Sequence, residues 1–337
     1  MNEPTRSATA TSTRTMKAIV QRAYGTPDAL TLEDVEVPRI AADEVLIRVR
    51  AASVNHADWV MTCGRPLIGR LAFGLRRPRQ AVRGRDVAGT VEAVGASVTR
   101  FAPGDEVYAE VDTGSFAEYA RAAESLVSTK PANLDFERAA TVPLAGRTAL
   151  QGLRDGGRVQ PGQRVLVNGA SGGVGTFAVQ IAKALGAEVT GVCSARNAAL
   201  VSSLGADHVV DYEREDFTAG SGRYDVIFDL IGNHPLTALR RSLTPGGTLV
   251  LSSGTGGRVF GPMGRILRAL LLSPFVGQNL RIFAPTRGAV SLDALRELIE
   301  SGAVTPAVDR VYPLAETAEA VRYFVEEHAR GKIVITV

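Results

Sequence analysis

Cysteine is scarce. The 337-residue chain has two, Cys63 and Cys193, far apart and without metal-ligand spacing. That excludes a disulfide framework and a zinc ribbon, and it predicts a protein of the reducing cytoplasm. Charge of one sign is lacking too: 38 Lys and Arg against 35 Asp and Glu leave +3. So mild a balance gives no argument for nucleic acid, although a pI near 9.0 predicts an Arg-rich surface. No apolar run reaches the roughly 18 residues of a membrane span. The nearest approach, 258–283, is interrupted by Pro262, Arg265, Arg268 and Pro274. The first fifteen residues, "MNEPTRSATATSTRT", carry no apolar core of signal-peptide length and read as a disordered tail or a late start codon. What is present is 45% hydrophobic and 22% charged residues, the balance of a globular chain of about two domains.

The N-terminal third reads as short β-branched strands, among them "MKAIVQ", "EVLIRVRAASV", "GTVEAVG" and "DEVYAEV", separated by Gly, Pro and Asp. A mostly antiparallel, partly closed β unit is predicted. From Thr141 the rhythm changes. The apolar runs "QRVLVN", "AEVTGVC", "DHVVDY", "YDVIFDL" and "GTLVLSS" alternate with helical segments, which predicts a parallel sheet covered on both faces. After "LRIF" come "SLDALRELIESG", "AETAEAVRYFVEEHA" and "GKIVITV". These have no place in a parallel sheet and are expected to return to the first domain.

Between the first two of those runs lies "NGASGGVG", opening a helix at once. Ser171, Gly172, Gly173, Val174 and Gly175 form a tight turn whose backbone can approach a pyrophosphate at a positive helix N-terminus. The pattern is A-x-G-x-x-G, with Ala170 in place of the first glycine. An NAD site usually has an acid at the end of the second strand, to hold the ribose 2′-hydroxyl. Here Cys193 is followed by Ser194, Arg196 and Asn197. A hydroxyl and a guanidinium suit a 2′-phosphate, and Tyr212 stands where it can close over the same group. Read together, these residues predict NADPH. Read singly, Arg196 is a solvated helix-start residue and Tyr212 a core-edge aromatic.

With "SVNHADW", "GRDVAGTVEAVG", "PGDEVY", "GSFAEYA", "PLAGRTALQGL", "GASGGVG" and "GKIVITV" in this order, residues 16–337 resemble the medium-chain dehydrogenase/reductase superfamily. The closest likeness is to its zinc-independent, quinone oxidoreductase-like branch. The resemblance implies an α/β fold: a GroES-like catalytic domain (16–140 and 286–337) interrupted by a Rossmann domain (141–285), with the cofactor between them. In the zinc-dependent members the position of Asn55 is a Cys ligand, and a His ligand falls on Arg85, so no metal is expected. Asn55 is then the candidate to reach the nicotinamide ribose or the substrate oxygen, with Asp58 ordering its loop. Some relatives carry Lys directly after "DW", where this chain has Val60. Thr148 resembles a residue near the nicotinamide at the domain hinge. Leu230 and Gly232, and Ser253 and Gly254, end the fourth and fifth strands, where ligands bind in open parallel sheets. Lys332 reaches the cofactor phosphates or stays a solvated strand-start residue.

Hydride transfer to a quinone or an α,β-unsaturated carbonyl is the activity this implies, since alcohol oxidation without a Lewis acid is hard. A metal-free ketone reductase and a non-catalytic NADPH sensor remain open alternatives. The segment 63–86 holds seven arginines with no interleaved aromatic platform and no nucleic-acid reading is carried forward; a mobile loop over the substrate mouth, attracting an acidic or CoA-like substrate, is expected. Met263, Ile266, Leu267, Leu270 and Leu271 share one helix face, expected to pack under the sheet, with a greasy substrate wall or weak membrane contact beside Arg265 and Arg268 as the alternatives. "LRIF" would be a sheet edge, where the family's two-fold dimers form, so a homodimer is expected.

Overall fold

The computed structural model describes residues 14–219, 221, 223–252, 259–327 and 329–337. Six parallel strands form one sheet. In chain order they are Arg164–Asn168, Glu188–Cys193, His208–Asp211, Tyr224–Asp229, Leu243–Leu251 and Asn279–Ile282. Their spatial order is 3-2-1-4-5-6, the doubly wound arrangement whose ligand crevice opens where the order reverses, between the first and fourth strands. Val165 and Val167 point into a core shared with Phe177, Ala178 and Ile181 of the helix Gly173–Ala184. Leu166, between them, points to the opposite face with Ile227, Leu239 and Leu249. Period-2 alternation with both faces covered explains why these strands read as unbroken apolar runs.

The second sheet is built on the long strand Glu44–Val54, paired antiparallel with Asp86–Val94, Tyr119–Ala123 and Lys332–Thr336. The C-terminal elements do return to the first domain. Ile333 pairs with Val54, and Val308–Pro313 runs parallel beyond the last strand. Helix Ala289–Glu300 is tied in by the Tyr108 hydroxyl, which donates to the Leu292 carbonyl at 2.6 Å.

Two expectations change here. The stripe on helix Met263–Leu272 does not pack under the sheet: Met263, Leu267, Leu270 and Leu271 are exposed, and the small Ala269 is what the helix buries. Nor is the arginine segment, expected as a mobile loop, loop throughout. It contains the turn Leu67–Gly69 and the short helix Arg70–Phe73, while Arg83 is buried and Arg85 is half-buried in an ion pair.

One contact places the two sheets for function. The Gly331 N–H donates to the Ser171 carbonyl at 2.9 Å, and Gly172 bridges Gly331 in parallel. The last strand therefore begins directly against the glycine turn.

Candidate active site

The turn follows the first strand and opens helix Gly173–Ala184, whose first N–H groups have no partner within the helix. Gly169 sits at φ +90°, in the left-handed region that glycine enters without a Cβ clash. A Cβ on Gly175 would lie 2.1 Å from the Gly169 carbonyl oxygen, so the helix approaches the strand only because that atom is missing. A Cβ on Gly172 would meet nothing nearer than the Gly169 carbonyl oxygen at 3.5 Å, so the backbone is bare on that side. Bare backbone, aligned N–H groups and a helix N-terminus fit a dinucleotide pyrophosphate.

Most of the sequence-expected cofactor residues gather here. The Asn197 amide donates to the Ser171 hydroxyl at 3.1 Å and to the Ser194 hydroxyl at 3.3 Å. It thereby stitches the turn to the end of the second strand. Its own Oδ1 is buried with no hydrogen-bond partner among the described residues. The Tyr212 N–H donates to the Cys193 carbonyl at 3.2 Å, which sets its ring, 53% exposed, beside that strand end. Arg196 is exposed and its guanidinium donates to the Glu327 carbonyl at 2.9 Å, at the end of helix Thr317–Glu326.

Across the crevice, Asp229 closes the fourth strand, fully buried. It accepts from Asn168 at 2.8 Å and from the Gly232 N–H at 2.9 Å, and it pairs with Arg265 of the exposed-stripe helix. The Leu230 N–H donates to the Asn168 carbonyl at 3.2 Å. Val174 lies in the first helical turn after the glycines. Ser253 and Gly254 lie outside the described residues.

Below the turn lies a buried polar network that the sequence motifs only partly indicate. Lys332 is 2% exposed, so the solvated strand-start reading is wrong. Its aliphatic stem faces Gly173, whose added Cβ would lie 3.0 Å from the Lys332 Cδ. Its ammonium is engaged by residues of the first domain. It donates to Asn55 Oδ1 and to the Val54 carbonyl, 3.5 Å from Asp86. Asp86 is the hub. It accepts from Ser53 Oγ, Asn55 Nδ2 and the Leu144 N–H, each at 3.0 Å. Burial raises the Asp86 carboxyl from its ordinary value and lowers the Lys332 ammonium. Asp86 carried no role in the sequence reading. The available signal was its place in "GRDVAG", directly after Arg85.

The network revises Asn55. Both its amide hydrogens are engaged, by Asp86 and by the Ser53 carbonyl at 3.3 Å. It has no free donor for a substrate oxygen, and its Oδ1 already accepts from Lys332 and takes part in the helix cap. Asn55 also caps helix His56–Cys63, in a capping box where the Asn55 N–H donates to Asp58 Oδ2 at 2.8 Å. Thr148, on helix Pro143–Gln151, turns its hydroxyl back to the Leu144 carbonyl at 2.7 Å.

Burial pushes the Asp58 carboxyl up to about 7. Above the unfolded value and below that point, the folded chain holds a proton that the unfolded chain has lost, so this group makes stability fall as pH rises toward 7. Asp58→Asn keeps an acceptor for the cap and cannot ionise. It should therefore gain on the wild type by about 1 kcal/mol or more between about pH 5 and pH 8. Urea unfolding at the two pH values checks this, and a constant difference would rule it out.

A Rossmann crevice facing a GroES-like sheet, joined at a buried polar network, defines a dinucleotide-binding oxidoreductase of the alcohol dehydrogenase type. Residues 41–132 match the family described as alcohol dehydrogenase GroES-like domain, and 204–335 the one described as zinc-binding dehydrogenase. The chain is 35% identical to the NADPH-dependent alkenal/one oxidoreductase, chloroplastic, of Arabidopsis thaliana, over 97% of this chain and 81% of that protein. It is 34% identical to the 2-methylene-furan-3-one reductase of Solanum lycopersicum, over 95% of this chain and 79% of the other. The solved quinone oxidoreductase from Coxiella burnetii superposes with a TM-score of 0.84 at 29% identity, covering 96% of this chain and 100% of that one. The chain belongs to the medium-chain dehydrogenase/reductase superfamily, in its quinone oxidoreductase-like branch.

Proposed function

We propose that the protein is an NADPH-dependent, zinc-independent reductase of quinones or α,β-unsaturated carbonyls. The observation that carries this is the network under the turn. At the two positions where the resemblance implies metal ligands stand Asn55, saturated by Asp86 and Lys332, and Arg85, paired with Glu110. An amide and a guanidinium are poor zinc ligands. The names of the two plant relatives, an alkenal/one oxidoreductase and a methylene-furanone reductase, support the substrate class. NADPH supplies the hydride, which goes to the electron-poor carbon, with the balancing proton from solvent.

Preference for NADPH is supported by Ser194 and Arg196 in place of an acid at the second strand end. Arg196→Ala should raise KM for NADPH about tenfold and leave that for NADH nearly unchanged. Equal weakening of both would remove the 2′-phosphate reading. Oxidation of NADPH with a panel of enones, quinones and ketones separates the reductase readings from each other, and tight NADPH binding with no turnover would favour a sensor. Stoichiometric zinc in active protein would overturn the metal-free site.

We also infer a homodimer. The edge strand Asn279–Ile282 and the exposed apolar stripe of the adjoining helix Met263–Leu272 support it. The cytoplasmic placement rests on two free thiols, Cys63 and Cys193.

A further inference from the structure

Acidic residues are absent from two long stretches of the chain. None lies between Asp58 and Asp86 or between Asp229 and Asp293, and each stretch holds seven arginines. Of the chain's 38 Lys and Arg, 14 therefore lie where none of its 35 Asp and Glu do. The fold brings the two stretches together. The Ile68 N–H donates to the Val259 carbonyl at 3.1 Å, and a Cβ on Gly261 would lie 2.7 Å from Pro66 Cγ.

Exposed apolar side chains collect at the same junction. Of the seventeen large apolar residues exposed among the described residues, three fall in 68–75 and seven in 259–275. Phe275 is the most exposed of all at 85%, and Leu71 and Leu75 follow at 66%. Arg65, Arg76, Arg77, Arg79 and Arg268 are exposed in the same two segments or beside them, and none forms an ion pair among the described residues. Arg265 differs: it turns inward to Asp229 and ties the apolar helix to the rim of the cofactor crevice.

An apolar surface with a cationic margin and no carboxylate fits one kind of partner by charge. We propose that this face seats the protein on a membrane surface containing anionic lipid. Helix Met263–Leu272, ten residues long, is too short to cross a bilayer and lies along the headgroup boundary. Its apolar stripe enters the acyl region, with Phe260 before it and Phe275 after it. Arg268 and the arginines of 65–79 stay among the lipid phosphates. This seat is independent of what the protein reduces.

A second copy of the chain is the competing occupant. A two-fold contact through this face would set it against itself, arginine against arginine, with no carboxylate from either stretch. The edge strand Asn279–Ile282 offers the homodimer a contact that leaves the face free.

Co-sedimentation of the full chain with lipid vesicles tests the seat. Phosphatidylcholine vesicles with roughly one-third phosphatidylglycerol should bind wild type about 100-fold or more better than phosphatidylcholine alone. Arg76→Gln, Arg77→Gln and Arg268→Gln combined should lower that binding on the order of 100-fold, at about fivefold per charge. Leu271→Ser with Phe275→Ser should lower it about tenfold by removing buried apolar area. All five positions are exposed, so thermal melts should match wild type and separate loss of the seat from loss of the fold. Equal binding to the two kinds of vesicle overturns the seat. So does a loss seen with the arginine variant and not with the apolar one, which is adsorption by charge alone. Sedimentation velocity without lipid covers the competing occupant. If the apolar variant dissociates a dimer and leaves vesicle binding unchanged, the face belongs to a second copy and the lipid seat is wrong.

Discussion

Lys332→Met should cost about 3–5 kcal/mol of stability, the scale for removing one partner of a buried ion pair. The size follows from what the change leaves behind. Asp86 and Lys332 are both essentially without solvent contact, and the ammonium is the only cation within 4 Å of Asp86 among the described residues. Without it, Asp86 keeps three neutral donors and must either hold a buried charge or take up a proton. The pair Lys332→Met with Asp86→Asn should recover much of the loss, because the charge that needed compensation is gone. Urea unfolding of wild type, both single variants and the double variant completes the cycle. Additive single effects would show that the two side chains do not compensate each other. A second readout separates positioning from plain stability. Lys332 holds Asn55 Oδ1, so Lys332→Met should lower kcat under conditions where the variant is fully folded; Lys332→Arg, which keeps the charge, should restore part of it.

What the sequence made legible is what period and punctuation record. The strand–glycine turn–helix unit at 164–184 shows in the switch from a short apolar run to glycines to 3.6-residue spacing, and the structure places it so. The return of "GKIVITV" follows from the lack of any place for it in a parallel sheet, and it pairs with Glu44–Val54. The misses have a common cause. Periodicity shows that a helix has an apolar face and not what covers it, so the stripe at Met263–Leu271 was assigned to a core that the helix reaches through Ala269 and Leu272. Residue type shows that Lys332 and Asp86 carry charge and not that the register Ile333 to Val54 buries them together, 246 positions apart in the chain. Arg147 stands in the motif read for Thr148 and gave no signal of its Glu110 partner. Long-range ion pairs are set by register and packing, and one sequence alone records neither.

The glycine turn gives the second large effect, and two of its positions should fail in different ways. Gly175→Ala places a Cβ 2.1 Å from the Gly169 carbonyl oxygen and 2.8 Å from the Ala170 backbone. Backbone cannot rotate away as a side chain does, so the helix must lift off the strand, at about 1–3 kcal/mol. The lifted helix carries its N–H groups away from the pyrophosphate, and NADPH affinity should fall on the order of 100-fold. Gly172→Ala meets no such obstacle. Gly172 is extended, at φ −81° and ψ 175°, and its nearest neighbour to a new Cβ is 3.5 Å away. That methyl projects into the space the backbone leaves bare, so it should leave the unfolding midpoint where it is and still weaken NADPH by about tenfold or more. Calorimetric titration with NADPH and a thermal melt on each variant distinguish the two. If Gly172→Ala bound NADPH as wild type does, the crevice side of the turn would not be where the phosphates lie; if it also melted early, the bare backbone would be serving the fold instead of the cofactor.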